Sequence, residues 1–174
     1  RVDWRLRIPT FAVLTSSDTA SAGEIPDLSG DAIIELLTST GFELAERVIV
    51  PDERAAIAAR LQEWADSGEI DLICTTGGTG LGPRDVTPEA LAQVADKDIP
   101  GFGELFRMLS YEKIKTSTIQ SRATAGVAGG TYLFALPGSP GACKDAWDEI
   151  LVHQLDIRTQ PCNFVELMPR LKER

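Results

Sequence analysis

Histidine occurs once in this chain, at His153, with no cysteine beside it. The pattern of a zinc site is therefore missing. Only three cysteines are present, Cys74, Cys143 and Cys162. They are odd in number, far apart and set among apolar neighbours, the pattern of reduced core thiols and not of a disulfide framework. No apolar run approaches the roughly 18 residues that a membrane-spanning helix needs. Residues 1–7 carry charge but no apolar segment of a secretory signal, so a cytoplasmic protein is expected. Basic residues are also in short supply. Against 26 Asp and Glu there are 17 Lys and Arg, a formal net charge of −9. Nucleic acid and acidic membranes, which need a basic footprint, are argued against as partners. A small phosphorylated ligand is not, because backbone amides and one or two arginines suffice to hold it.

Glycine, by contrast, is concentrated where it has most effect. Leu72, Ile73 and Cys74 form a short apolar run that reads as a buried strand, followed by glycines at 77, 78, 80 and 82. Thr87-Pro88-Glu89 then reads as a helix start, with Thr at the N-cap, Pro at the first helical position and an acid in the first turn. Strand, glycine loop and helix N-terminus is a recurring geometry for an anion at the carboxyl edge of a parallel sheet. Glycines bring the backbone close and leave N–H groups to do the binding. Asp85 lies inside this loop, and an acid beside a phosphate site is usually explained by a metal ion. The ending of a P-loop is absent, as is the spacing of a dinucleotide fingerprint.

The remaining chain repeats the theme. Residues 8–15 read as a first buried strand, emptying into a hydroxyl-rich loop with Thr15, Ser16, Asp18, Ser21 and Gly23. That loop is either a plain surface connection or a second ligand-facing loop on the same edge. A helix from Asp27 to Gly41 and a strand over 43–50 follow. Asp52, just after Pro51, is either the N-cap of the next helix or a carboxylate placed at the shared edge. Phe102, Leu105, Phe106 and Leu109 form a helical stripe for core or subunit contact. The segment 116–130 shows no clear pattern, and Arg122 within it is a surface charge or a phosphate ligand. Residues 131–136 are a further strand, running into Pro137-Gly138-Ser139, and another helix opens at Ser139-Pro140. Strands and helices alternate along one undivided domain, 1–174. The fold class expected is α/β, a three-layer, doubly wound, mostly parallel sheet, with a tail over 157–174 lying on the surface or on a neighbouring subunit.

Several motifs occur together in one order: Thr75 to Gly80 (Thr-Thr-Gly-Gly-Thr-Gly), Arg84 to Glu89 (Arg-Asp-Val-Thr-Pro-Glu), Ile99 to Glu104 (Ile-Pro-Gly-Phe-Gly-Glu) and Ala135 to Ser139 (Ala-Leu-Pro-Gly-Ser). They resemble the molybdopterin-binding domain family, which comprises the molybdenum cofactor biosynthesis proteins MoaB and MogA. Phe106 to Ser110, Ser117 to Ala123 and Arg158 to Phe164 resemble its MoaB branch. The resemblance implies a trimer, or a hexamer of two trimers, whose substrate is molybdopterin, a dithiolene pterin monophosphate. It further implies Mg²⁺ and ATP, adenylylation of the pterin phosphate, and a downstream metal-insertion protein as partner. By the same resemblance Thr76, Gly77, Gly78, Thr79 and Gly80, with Ser121, Arg122, Pro137, Gly138 and Ser139, hold the pterin phosphate side. Asp52 and Asp85 serve Mg·ATP and catalysis. A non-catalytic molybdopterin carrier is the alternative.

Overall fold

Six strands pair into one sheet: β1 (Thr10–Ser16), β2 (Glu43–Val50), β3 (Leu72–Thr76), β4 (Lys97–Asp98), β5 (Thr124–Ala128) and β6 (Thr131–Leu136). The structure is a computed structural model that describes residues 8–173, so the reading of residues 1–7 lies outside it. Strand order is β2-β1-β3-β6-β5-β4. The first four are parallel, while β5 and β4 run antiparallel to their neighbours. The expected mostly parallel, doubly wound sheet is the fold observed.

Alternation along the strands sorts side chains into two layers. Phe11, Val13, Leu72, Cys74, Tyr132 and Phe134 face α2 (Leu28–Ser39), α5 (Pro100–Ile114) and α6 (Pro140–Ala146). Ala12, Leu14, Ile73, Leu133 and Ala135 face α3 (Arg54–Ser67) and α4 (Thr87–Val94) on the other side. A four-residue helix, α1 (Asp18–Ser21), follows β1. Asp27 caps α2 by accepting from the Gly30 N–H at 3.0 Å, and Gly68 ends α3 at φ 70°.

The segment 116–130 resolves into a 3₁₀ turn and β5. It is turned back onto β6 by Gly129 and Gly130 at φ 56° and 87°. Two adjacent positive φ values match the twist of a tight hairpin, and Gly-Gly satisfies them without a Cβ clash. The tail packs on the same molecule. Val165 and Met168 are buried, Phe164 stacks on Tyr132 with ring centroids 4.7 Å apart, and the Tyr132 hydroxyl donates to the Phe164 carbonyl.

Cys74 and Cys143 are buried as expected, but Cys162 is exposed. It lies in the irregular stretch before the short helix Phe164–Leu167, where no strand or helix turns its side chain inward. Burial pushes the Cys74 thiol far up and the Cys143 thiol to about 11, whereas reaction with a disulfide reagent needs an accessible thiolate. Titration of the native protein at pH 8 is expected to modify Cys162 alone, with the other two reacting only after denaturation. Rapid modification of all three would contradict this packing.

Candidate active site

From β1 the chain moves outward to β2, then crosses back past β1 to β3 and on toward β6. The order therefore reverses between β1 and β3. Loops leaving their carboxyl ends part in opposite directions, which is where open α/β sheets hold ligands. A cleft of about 370 Å³ lies there, lined by Thr15 and Ser16 from β1, Thr76, Gly77 and Gly78 from β3, and Gly138 and Pro140 from the loop after β6. Asp52 and Asp85 line it as well.

The glycine loop has no room for side chains. A Cβ on Gly77, at φ 92°, would stand 2.3 Å from the Ser16 carbonyl oxygen, and one on Gly78, at φ 71°, 2.3 Å from the Thr87 hydroxyl. Thr87 is not the expected N-cap. Val86 takes that position in α4, and the Thr87 hydroxyl instead donates to the Gly77 carbonyl at 2.9 Å. Among the described residues the N–H groups of Gly78, Thr79 and Gly80 have no hydrogen-bond acceptor. Asp85 is turned into the loop by the Gly82 N–H at 2.9 Å.

Arg122 is neither a free surface charge nor a free phosphate ligand. Its Nε donates to the Gly80 carbonyl at 2.9 Å, one Nη to the Asp85 carbonyl at 2.8 Å, and the other is ion-paired with Glu89. Its own N–H reaches the Thr79 carbonyl at 2.9 Å. Three of these bonds clamp the glycine loop from behind, and the ion pair ties the guanidinium to α4.

Asp52 is not a helix cap. The N-cap of α3 is Glu53, which makes no side-chain cap bond. The Asp52 carboxylate accepts from the Ser16 hydroxyl at 2.6 Å and from the Asp18 N–H at 3.0 Å, and the Asp52 N–H returns a bond to Asp18 at 2.9 Å. Asp18 is also ion-paired with Arg84. Ser21 and Gly23 are exposed and stand apart from the cleft lining, and Thr79 is buried beneath the loop.

Asp27, read from the sequence only as the start of a helix, also lines the cleft. Burial acts to raise its carboxyl, but hydrogen bonds from Arg47 (2.8 Å), Thr15 (2.7 Å) and the Gly30 N–H outweigh burial and hold it below the usual carboxylate range. Pro137, Ser139 and Ser121 do not face this cleft. They line an adjoining cavity of about 290 Å³ with Phe106, Ile114 and Ala142. The two cavities share the 137–140 loop, which Thr76 anchors by donating to the Pro137 carbonyl at 2.8 Å. A third cavity, about 330 Å³, opens at the opposite edge of the sheet beside Pro9 and Asp71 and holds none of the expected site residues.

No group of three His, Cys, Asp or Glu side chains that would cage a metal exists among the described residues. Two carboxylates on one cleft fit a different kind of ion. Mg²⁺ keeps most of its waters and binds through one or two carboxylates plus the phosphates of a substrate.

A family profile described as a probable molybdopterin-binding domain matches residues 12–157. The chain belongs to the molybdopterin-binding domain family. Its relatives within that family include the molybdenum cofactor biosynthesis protein B of Escherichia coli K12, 47% identical over 167 residues and covering 95% of each chain. Two solved structures superpose closely. The tungsten cofactor synthesizing protein MoaB of Pyrococcus furiosus matches with a TM-score of 0.81 at 35% identity, over 96% of this chain and 99% of that one. The molybdopterin biosynthesis enzyme MoaB of Thermus thermophilus matches with a TM-score of 0.79 at 36% identity, over 96% and 98%.

The Asp27 network makes a pH prediction. A carboxyl lowered on folding contributes stability that is complete above its unfolded value of about 3.9 and is lost as pH falls through the folded value. Asp27→Asn is expected to lower stability at pH 7 by about 1–3 kcal/mol and to flatten the decline below pH ~4. Urea unfolding across pH would show it, and an unchanged acid limb would contradict the assignment.

Proposed function

We propose that this protein acts in molybdenum cofactor biosynthesis as a Mg·ATP-dependent adenylyltransferase that activates the phosphate of molybdopterin. The observation that carries the reading is that two carboxylates, Asp52 and Asp85, share one cleft with a glycine loop whose Gly78, in the cleft lining, has an unpaired backbone N–H. That combination suits two anions meeting, one on amides and one through a metal. The adjoining cavity, with Phe106, Ile114 and Ala142 among its walls, suits a flat pterin ring, and Ser121 and Ser139 offer hydroxyls at its edge.

The chemistry asked of the chain is electrostatic. An oxygen of the pterin phosphate forms a bond to the α-phosphorus of ATP as the bond to pyrophosphate breaks. The attacking phosphate is already largely ionised at neutral pH, so no general base is needed, and the lone His153 is absent from the cleft lining. The glycine-loop amides would position that phosphate for in-line attack and stabilise charge as it develops. Asp52 and Asp85 would hold Mg²⁺ arriving with ATP, which neutralises the triphosphate. The clamp by Arg122 keeps Asp85 and the loop in register.

We further propose a cytoplasmic homotrimer, or a hexamer of two trimers, that hands its product to a metal-insertion protein. On α5 and the turn after it Met108, Tyr111 and Ile119 are exposed, apolar side chains that an interface between subunits would cover. Light scattering of Met108→Glu/Ile119→Glu is expected to show smaller particles than wild type; identical particles would move the interface elsewhere.

Incubation with molybdopterin, ATP and Mg²⁺ is expected to yield adenylylated pterin and pyrophosphate. Asp52→Asn and Asp85→Asn are each expected to slow it by roughly 100-fold or more while sparing pterin binding. Tight pterin binding without any product would favour the carrier instead, and wild-type rates in both variants would sink the metal assignment.

A further inference from the structure

The cleft that is read as taking a triphosphate has no cation in its lining. Its charged residues are Asp27, Asp52 and Asp85; Asp27 is ion-paired with Arg47, which leaves Asp52 and Asp85 to repel a polyanion. Two neighbouring arginines are committed elsewhere, Arg47 to Asp27 and Asp31 and Arg122 to the glycine loop. Arg84 is different. It sits in the glycine loop next to Asp85, and its guanidinium reaches across to α1, where Nε and one Nη grip both carboxylate oxygens of Asp18 at 3.0 and 2.8 Å. The second Nη has no hydrogen-bond partner among the described residues. The side chain is 59% exposed and its partner 43%, so the pair is wet and readily exchanged. Asp52 and Glu53 lie close enough to add their fields to that of Asp18 at the guanidinium.

We propose that Arg84 is a polyphosphate-binding residue of this cleft, held beside its mouth by Asp18 until a triphosphate displaces the carboxylate. Guanidinium binds phosphate in the same bidentate manner as carboxylate, so the exchange replaces one fork of hydrogen bonds with another. Asp18 is then a competitor for Arg84 and not a ligand of the nucleotide. Through its reciprocal bonds with Asp52, the released Asp18 stays attached to the loop that carries a cleft acid. The exchange thereby brings positive charge into a cleft whose own side chains supply none. This inference rests on the nucleotide reading given above.

Opposite shifts in two variants test it. Calorimetric titration with Mg·ATP, and separately with Mg·tripolyphosphate, is expected to show Arg84→Gln binding about tenfold more weakly than wild type. Asp18→Asn, which frees the guanidinium, is expected to bind more tightly, by roughly three- to tenfold. The double variant should bind like Arg84→Gln alone, and Arg84→Lys should recover only part of the loss. If the ion pair merely braces the loops, both single variants weaken binding together or leave it unchanged, and the proposal falls while the nucleotide reading stands. If wild type takes up neither ligand, both fall.

Discussion

At Gly77 the glycine loop passes the end of β1 so closely that even a methyl group would collide with the Ser16 carbonyl oxygen. Around this backbone contact the site is assembled. Gly138 approaches from the third side, where a Cβ would meet the Gly77 Cα at 3.3 Å, and the Gly77 N–H is tied to the Leu136 carbonyl. Three strand ends thus meet without side chains between them. Buried threonines then fasten the loops to one another, Thr76 to Pro137 and Thr87 to Gly77. A loop so braced holds its free amides in place before any ligand arrives, which is where preorganised electrostatics takes its advantage.

Charge around the cleft is arranged in the same spirit. Arg122 and Arg47 are turned inward onto carbonyls and carboxylates, where they order the backbone. The carboxylates that face solvent in the cleft are left to find a partner from outside. An acid that accepts from a hydroxyl and an N–H, as Asp52 does, is held in a fixed orientation by neutral donors alone.

How much of this is written in the chain depends on how each element holds its place. The strands 43–50 and 131–136 match the observed β2 and β6 end for end, because bulky apolar residues announce them. β1 starts two residues late, at Thr10 after Pro9, whereas β3 opens at Leu72, where its apolar run begins. β5 is hidden from a reading of hydrophobicity because Thr124–Ala128 is made of small residues chosen for closeness. A Cβ on Gly126 would meet both Ala95 and the Lys97 carbonyl at 2.9 Å, so smallness is what lets α4 and β4 pack there, and no hydrophobic pattern records it. Thr87 and Asp52 mislead for a shared reason: a hydroxyl or carboxylate at a helix start reads as a cap, while their actual partners lie many residues away. The reach of Arg122 and the double role of Asp27 are likewise long-range facts that local spacing cannot contain.

The sheet also ends in a particular way. At one margin stands β4, only two residues long, both charged and exposed. At the other, β2 presents Glu43, Glu46 and Arg47 along its length and is irregular in its pairing near Phe11. Short, charged or bent margins are poor templates for another strand. A protein built this way can associate through its helices yet resists growing sheet onto sheet, which protects an otherwise aggregation-prone parallel core during synthesis at high concentration.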